Sequence, residues 1–105
     1  KGALFENLVI VDLIKRRFNE AKRHQLFFWR DSAGNEVDVI MEQATGIVPI
    51  EIKSGQTITS TYFKGLDYWQ KITGSEGGYI VYAGNSIEKR SKNRMVLPLS
   101  ALNKI

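Results

Sequence analysis

Two neighbouring segments decide how this chain folds: Glu36-Val37-Asp38-Val39-Ile40-Met41 and, after a short glycine-containing break, Ile47-Val48-Pro49-Ile50-Glu51-Ile52-Lys53. Both segments are rich in β-branched residues and have the length of single strands, so they predict two successive β-strands. Side chains of a strand alternate between its two faces. Glu36, Asp38 and Ile40 should therefore share one face of the first strand, with Val37, Val39 and Met41 on the other. By the same rule, Glu51 shares a face with Lys53.

The charged residues on these strands have two interpretations. If Asp38 lies opposite Glu51, two carboxylates and the Lys53 ammonium meet on one patch. Hard divalent cations such as Mg²⁺ bind to oxygen-rich sites of this kind, and a neighbouring lysine could orient a water for attack on phosphorus. Alternatively, Glu51 and Lys53 form an ordinary polar face that pairs with Asp38 across the hairpin. The alternation alone leaves both interpretations open.

Length and composition narrow the class of protein. The 105 residues are 43% hydrophobic and 25% charged, which suits one globular domain over residues 1–105. The chain contains no cysteine, so disulfides and thiolate metal sites are excluded. The apolar run Leu8-Val9-Ile10-Val11 is far too short to span a bilayer, and no signal-peptide pattern is present. We therefore expect a cytoplasmic protein without a membrane partner.

The remaining periodicity predicts two helices and three further strands. Helical spacing covers residues 2–21 and 57–73, and strand patterns cover 26–30, 79–83 and 95–99. Turn residues at 31–35 join the first two strands as a hairpin. The order is helix, three strands, helix, two strands, which predicts an α/β fold with a small mixed sheet flanked by helices.

The net charge of +4 and the pI near 9.5 favour an anionic partner through long-range attraction. Basic residues concentrate between the last two predicted strands, in Glu88-Lys89-Arg90-Ser91-Lys92-Asn93-Arg94. This connection is either a solvated hairpin loop or a nucleic-acid contact.

Glu6 is the unusual residue of the first helix. Apolar residues are spread over most of the circumference of that helix, which indicates that it is largely buried. Glu6 projects between Ile10 and Leu13, and an unpaired buried carboxylate costs several kcal/mol or must protonate. A salt bridge to Arg17, exposure near the start of the helix, or membership of a functional site would each resolve this cost.

These features in combination resemble the PD-(D/E)xK nuclease superfamily, whose core runs helix, three strands, helix, strand. Its motif is an acidic residue on the second strand followed by Glu-x-Lys on the third. Asp38 matches the first position, and Glu51 with Lys53 matches the second. Glu6 matches the acidic residue that many members carry on the first helix. The proline of the motif name is absent, because Val37 directly precedes Asp38.

Three longer blocks resemble, more narrowly, the domain of unknown function at the C-terminus of bacterial and archaeal AAA-type ATPases. They are Gly2-Ala3-Leu4-Phe5-Glu6-Asn7, Phe28-Trp29-Arg30-Asp31 with Gly34-Asn35-Glu36-Val37-Asp38, and Pro49-Ile50-Glu51-Ile52-Lys53-Ser54-Gly55. The chain enters a helical pattern at Lys1 without an initiator Met, so we expect a fragment from which an N-terminal ATPase region is missing. It has no Gly-rich phosphate loop of its own.

The resemblance implies a restriction-endonuclease-like core and a nuclease-like function that requires Mg²⁺ or Mn²⁺. DNA is the expected substrate, and RNA is the alternative. Glu6, Asp38 and Glu51 would hold the metal directly or through water. Lys53 would position the nucleophile and stabilise negative charge on the phosphate.

Two further expectations concern binding. Lys64 and Gln70 on the second helix are predicted phosphate contacts. A function of a different class is also consistent with the sequence, namely a non-catalytic module that binds nucleic acid or protein on behalf of the ATPase. Either module could work as an oligomer.

Overall fold

The computed structural model of the chain describes residues 2–19, 26–44 and 46–105. It confirms the predicted α/β fold, in which helices flank a mixed sheet. The first part comprises α1 (Gly2–Asn19), β1 (Leu26–Arg30), β2 (Glu36–Gln43) and β3 (Gly46–Lys53). A 3₁₀ helix (Ser60–Phe63) and α2 (Lys64–Thr73) follow. The last part comprises β4 (Gly78–Tyr82), β5 (Glu88–Arg90), β6 (Arg94–Pro98) and a 3₁₀ segment (Leu99–Lys104).

Most predicted strand boundaries agree with the observed ones to within two residues, and the larger differences lie in two places. The helix expected over residues 57–73 starts as the 3₁₀ helix and becomes α-helical only at Lys64. The basic connection is not simply a solvated loop, because it contains β5 and the first residue of β6. A short polar edge strand has no apolar alternation, so the sequence pattern did not predict it. Residues 20 and 21 of the first predicted helix lie outside the described residues.

The six strands of the described residues form one sheet in the order β1-β2-β3-β4-β6-β5. The three strands β1, β2 and β3 are antiparallel neighbours, whereas β4 is parallel to both β3 and β6. A parallel pair requires a crossover connection, which α2 supplies between β3 and β4. Strand β3 therefore lies inside the sheet, and Pro49 through Ile52 are buried there.

The core has one layer on each face of the sheet. The layer under α1 contains Val9, Leu13, Val39, Met41, Ile50, Ile52, Val81 and Leu102. The layer under α2 contains Leu66, Ile80, Tyr82 and Val96, with Val37, Ile40 and Trp69 beside them. Ile80 and Val81 belong to different layers, as expected for neighbours on a strand.

Helix α1 is less buried than its apolar composition predicts. Its buried residues in the described structure are Val9, Leu13 and Arg17, and the Arg17 guanidinium donates to the carbonyl oxygen of Glu42 at 2.8 Å. Several other apolar residues of α1 are exposed, so the expectation of a largely buried helix is wrong. No helix in the described part of the chain has the length and apolarity needed to cross a membrane.

The two isoleucines of β3 provide a matched test of this packing. Ile50 is fully buried, whereas Ile47 on the same strand is 54% exposed. We expect Ile50→Ala to lower the free energy of unfolding by about 2–5 kcal/mol, because it leaves a cavity in the core. Ile47→Ala should change it by less than about 1 kcal/mol in the same urea titration. Equal losses in the two variants would contradict the assigned burial of β3.

Candidate functional site

The antiparallel register of β2 and β3 brings Asp38 towards Glu51. Val39 pairs with Ile50, and one further step along both strands places Asp38 opposite Glu51. There, one Asp38 carboxylate oxygen accepts a hydrogen bond of 2.8 Å from the backbone N–H of Ile52. This bond fixes the Asp38 side chain against β3.

A β-bulge in β2 lies at Asp38. Between the paired positions on either side, Phe28 of β1 lies opposite two residues of β2, Asp38 and Val39. Bulges redirect side chains and are common beside functional sites. As a result, Val37 packs in the layer under α2 and Val39 in the layer under α1. The strict alternation predicted for this strand is therefore wrong at the bulge.

Glu51 is buried in the centre of the sheet, with 3% of its surface exposed. Burial is the main reason that the pKa of Glu51 rises to about 9, and contact with the Asp38 carboxyl raises it further. The charge of Lys53 and the backbone amide of Asp38 act in the opposite direction. In the metal-free chain at neutral pH, this shift favours the protonated form of Glu51, because burial penalises the charge and the neighbouring Asp38 carboxyl group adds to that penalty.

Helix α2 can approach Glu51 only because residue 65 is a glycine. A Cβ atom at Gly65 would overlap Oε1 of Glu51 and would lie 3.1 Å from the backbone oxygen of Glu36. Glycine inside a helix costs roughly 1 kcal/mol relative to alanine. At this position the missing side chain provides the space that the buried carboxyl group occupies.

A cavity of 220 Å³ opens between α2 and the ends of β2 and β3. Its charged lining consists of three carboxylates and two ammonium groups: Glu36, Asp38, Glu51, Lys53 and Lys64. Gly34, Asn35, Thr61, Gly65 and Tyr68 complete the lining. The cavity therefore presents both acidic and basic groups to anything that enters it.

Lys53 is partly buried at this cavity. Its Nζ atom lies 5.8 Å from the centre of the Tyr62 ring, in the range of a cation–π interaction. The alternation of β3 puts Lys53 on the same face as Glu51, as predicted. The structure thus brings together Asp38, Glu51 and Lys53.

Glu6 approaches this group from α1 without joining it. The side chain is half-buried, and its pKa is raised mainly by burial and further by the charges of Asp38 and Glu36, while Lys53 lowers it. Glu6 therefore interacts electrostatically with the charged residues of the site but is not among the residues that line the cavity. Within residues 2–19, 26–44 and 46–105, no three His, Cys, Asp or Glu side chains form a group that could hold a metal ion.

The two predicted phosphate contacts on α2 have different outcomes. Lys64 lines the cavity, at the start of the helix. Gln70 does not, and its side-chain oxygen accepts a hydrogen bond of 3.2 Å from Arg94. The reason is helical geometry, because six residues correspond to a rotation of about 240° away from Lys64.

Sequence reasoning missed Tyr68, which lies one helical turn after Lys64 and lines the same cavity. The Tyr68 hydroxyl donates to a carboxylate oxygen of Asp31 at 2.7 Å. This hydrogen bond is the main cause that lowers the pKa of Asp31, and it raises the pKa of Tyr68. The spacing of Thr61, Lys64, Gly65 and Tyr68 is the signal that could have identified this wall of the cavity.

The donor set of the cavity fits a hard divalent cation that binds together with a substrate. Mg²⁺ is commonly held by one or two carboxylates, with waters and substrate phosphates as its other ligands. Asp38 and Glu51 supply two carboxylates, so a third protein carboxylate is not required. A cation beside this pair would favour the ionised form of both groups. Without a cation, the raised pKa of Glu51 favours the protonated form of that residue.

These observations define a small α/β protein with a carboxylate and lysine cavity between its sheet and one helix. Residues 1–102 match the family model described as Domain of unknown function (DUF4143), and the chain belongs to that family. No curated protein and no solved structure gives a significant match to the chain.

The raised pKa of Glu51 predicts a pH-dependent contribution to stability. Glu51 should titrate near its ordinary value of 4.5 in the unfolded chain and near 9 in the folded chain. Because the folded state holds the proton more tightly, this contribution is complete below pH 4.5 and is lost as the pH rises towards 9. Glu51→Gln keeps a neutral group of similar shape and removes the titration.

We therefore expect the free energy of unfolding of the unsubstituted chain to fall relative to that of Glu51→Gln between about pH 5 and pH 9. Urea titrations in the presence of EDTA measure both proteins without bound metal. Titrating groups that do not interact with Glu51 are common to the two chains and cancel in the difference. A difference that does not change with pH would show that Glu51 is ionised in the folded chain.

Proposed function

We propose that this chain is a nuclease-like domain of the PD-(D/E)xK superfamily, which hydrolyses phosphodiester bonds of DNA with Mg²⁺ or Mn²⁺. The observation that carries the proposal is the convergence of Asp38, Glu51 and Lys53 on one cavity. The order of helix, three strands, helix and strand supports it further, because this is the core of that superfamily.

The residues of the cavity have distinct roles in this proposal. Hydrolysis forms a bond between a water oxygen and phosphorus and breaks the bond from phosphorus to the ester oxygen, which leaves with a proton. Asp38 and Glu51 would hold the metal ion, which when bound would polarise the phosphate as a Lewis acid. Lys53 would donate hydrogen bonds to a phosphate oxygen and stabilise its increasing charge. Lys64, on the opposite wall, would contact the substrate backbone.

Glu6 has a subordinate role in this proposal. It lies at the edge of the site and interacts electrostatically with Asp38, Glu36 and Lys53. A water molecule between Glu6 and the metal would account for the acidic residue on the first helix without direct coordination.

We also propose that the domain works in the cytoplasm as part of a longer protein with an AAA-type ATPase region. Three sequence blocks that resemble such C-terminal domains support this.

The proposed hydrolysis can be tested with supercoiled DNA. We expect nicking with Mg²⁺ or Mn²⁺ and none with EDTA, because the metal supplies the Lewis acid. Asp38→Asn and Lys53→Met should each reduce the rate by at least about 100-fold, since each removes a charge that acts on the reacting phosphate. Agarose gels over a time course measure the rate.

Lys104→Met is the matched control for Lys53→Met, because Lys104 is an exposed lysine at the far end of the chain. A thermal shift with Mn²⁺ that disappears in Asp38→Asn would separate loss of metal from loss of chemistry. Equal nicking by the unsubstituted chain, Asp38→Asn and Lys53→Met would refute the catalytic proposal and indicate a contaminating nuclease.

A second candidate function, binding of nucleic acid without cleavage, is favoured by the hairpin of β5 and β6. Arg90, Lys92 and Arg94 border a separate cavity of 370 Å³ on the other side of α2. Arg90 and Arg94 lie 5.2 Å and 5.9 Å from the centre of the Phe63 ring. Arg94 is buried and forms an ion pair with Asp67, and Arg90 forms one with Glu88. The exposed Lys92 is therefore the cation of this group best placed to meet a phosphate.

This binding function predicts a salt-dependent affinity for DNA that does not require metal. Lys92→Ala should weaken binding to all sequences similarly and reduce the slope of log K against log salt concentration by about 1. Fluorescence anisotropy with a labelled duplex between about 50 and 200 mM salt measures both quantities. Binding that persists in Asp38→Asn without any nicking in the unsubstituted chain would favour this function over hydrolysis. Affinity that is independent of salt would exclude it.

A further inference from the structure

Helix α1 has a second apolar face, which points away from the sheet. We define the α1 stripe as five apolar residues whose exposed fractions are 69%, 51%, 49%, 38% and 70%, namely Leu4, Leu8, Val11, Ile14 and Phe18. The buried residues Val9 and Leu13 lie on the opposite side of the helix, where α1 meets the sheet. Exposed apolar patches of several hundred Å² commonly mark interaction sites.

The α1 stripe is symmetrical about Val11. Leu8 and Ile14 lie three positions to either side, and Leu4 and Phe18 lie seven positions to either side. Two copies of such a helix can pair antiparallel around a two-fold axis at Val11. In that arrangement Leu8 of each copy packs against Ile14 of the other, and the two Val11 side chains meet.

We propose that the α1 stripe is the interface of a symmetric homodimer in which two α1 helices pack antiparallel. A two-fold interface uses the same surface of both subunits, so the surface must be complementary to itself. The symmetrical spacing about Val11 meets this requirement for Leu8 and Ile14, which form the centre of the pairing. Leu4 and Phe18 extend the stripe at its two ends and are not essential to the pairing.

The polar residues within the stripe also favour the antiparallel orientation. Asn7 and Lys15 lie four positions to either side of Val11, so an antiparallel pair places the amide of one copy beside the ammonium of the other. A parallel pair would instead place the two Lys15 side chains next to each other. Like charges in direct opposition are unfavourable.

The area of the stripe is sufficient for a weak dimer. From the exposed fractions, the five residues offer about 550 Å² per copy, compared with about 800 Å² per partner in a standard interface. The stems of Asn7 and Lys15 add to this area. An area below that of a standard interface predicts a weak dimer, so association should be sought up to a protein concentration of about 200 µM.

A membrane surface fits this face less well than a second copy does. Helices that lie on membranes carry an excess of Lys and Arg on the polar side next to their apolar face. In α1, Asp12 lies beside the stripe and pairs with Arg16 at 3.1 Å, which neutralises that flank. The combination of a neutral flank and a symmetrical stripe points to a protein partner with the same sequence.

Single cysteines can test both the interface and its direction, because the chain has none of its own. We expect Val11→Cys to form disulfide-linked dimers with itself under mild oxidation. Leu8→Cys mixed with a tagged Ile14→Cys should give the mixed dimer in preference to either dimer with itself. Gels without reducing agent measure the products, and preferential 8–8 and 14–14 products would refute the antiparallel arrangement.

A charge at the axis tests whether the interface forms without cross-linking. Val11→Glu should weaken the dimer at least about 10-fold in sedimentation velocity over about 1–200 µM, because it places two carboxylates together. Ile87→Glu is the matched control, since Ile87 is also 49% exposed but lies outside α1. Circular dichroism checks that both variants are folded.

Three outcomes would overturn the proposal. The first is an unsubstituted chain that remains monomeric at about 200 µM. The second is a Val11→Glu variant that dimerises as well as the unsubstituted chain. The third is an unsubstituted chain that is monomeric and sediments with anionic phosphatidylserine vesicles, while the Val11→Glu variant does not sediment with them. The last outcome would assign the stripe to a membrane surface. None of these measurements depends on hydrolysis, so the dimer and the nuclease proposals can fail separately.

Discussion

The structure depends on how a carboxyl group is accommodated inside a buried strand. Glu51 lies between Ile50 and Ile52 in the interior of the sheet, where hydration cannot stabilise a charge. Three features accommodate it: Gly65 leaves the necessary space, the bulge of β2 brings Asp38 into contact, and Lys53 adds a positive charge. The glycine in the helix and the bulge in the strand are unfavourable or irregular by themselves, and both are explained by the presence of this carboxyl group.

A purely structural role does not account for this arrangement. An ordinary polar face of an antiparallel strand is solvated, whereas Glu51 is almost completely buried. Replacing a buried, hydrogen-bonded carboxyl group by an apolar residue of similar volume is often neutral or stabilising, so core packing alone does not require a glutamate at position 51. Local departures from good packing of this kind are expected at functional sites, where they are retained for chemistry rather than for stability. The burial of Glu51 is therefore inconsistent with the ordinary, solvated polar face that was one of the two interpretations of the strand pair.

The sequence was most informative where one physical rule dominated. The β-branched segments around Asp38 and Glu51 predicted both strands, and their acidic residues are neighbours because antiparallel register relates them. Prediction from the sequence failed where contacts between distant parts of the chain override the local pattern. The bulge that redirects Val37 depends on pairing with β1, and the polar strand β5 exists only because β6 lies beside it. Gln70 is a different case, because the rotation of about 240° between it and Lys64 on one helix already separates the two side chains.

The two faces of the sheet have different surroundings. Glu51 and Lys53 face α2 and its cavity, while Ile50 and Ile52 face α1. The α1 stripe lies on the outer surface of α1, so a dimer formed through it would leave both cavities open to substrate. Glu6 is the link between these regions, since it belongs to α1 and interacts with the charges of the site. Pairing of α1 helices would hold Glu6 more firmly, because it restrains the helix that positions this carboxylate at the edge of the cavity.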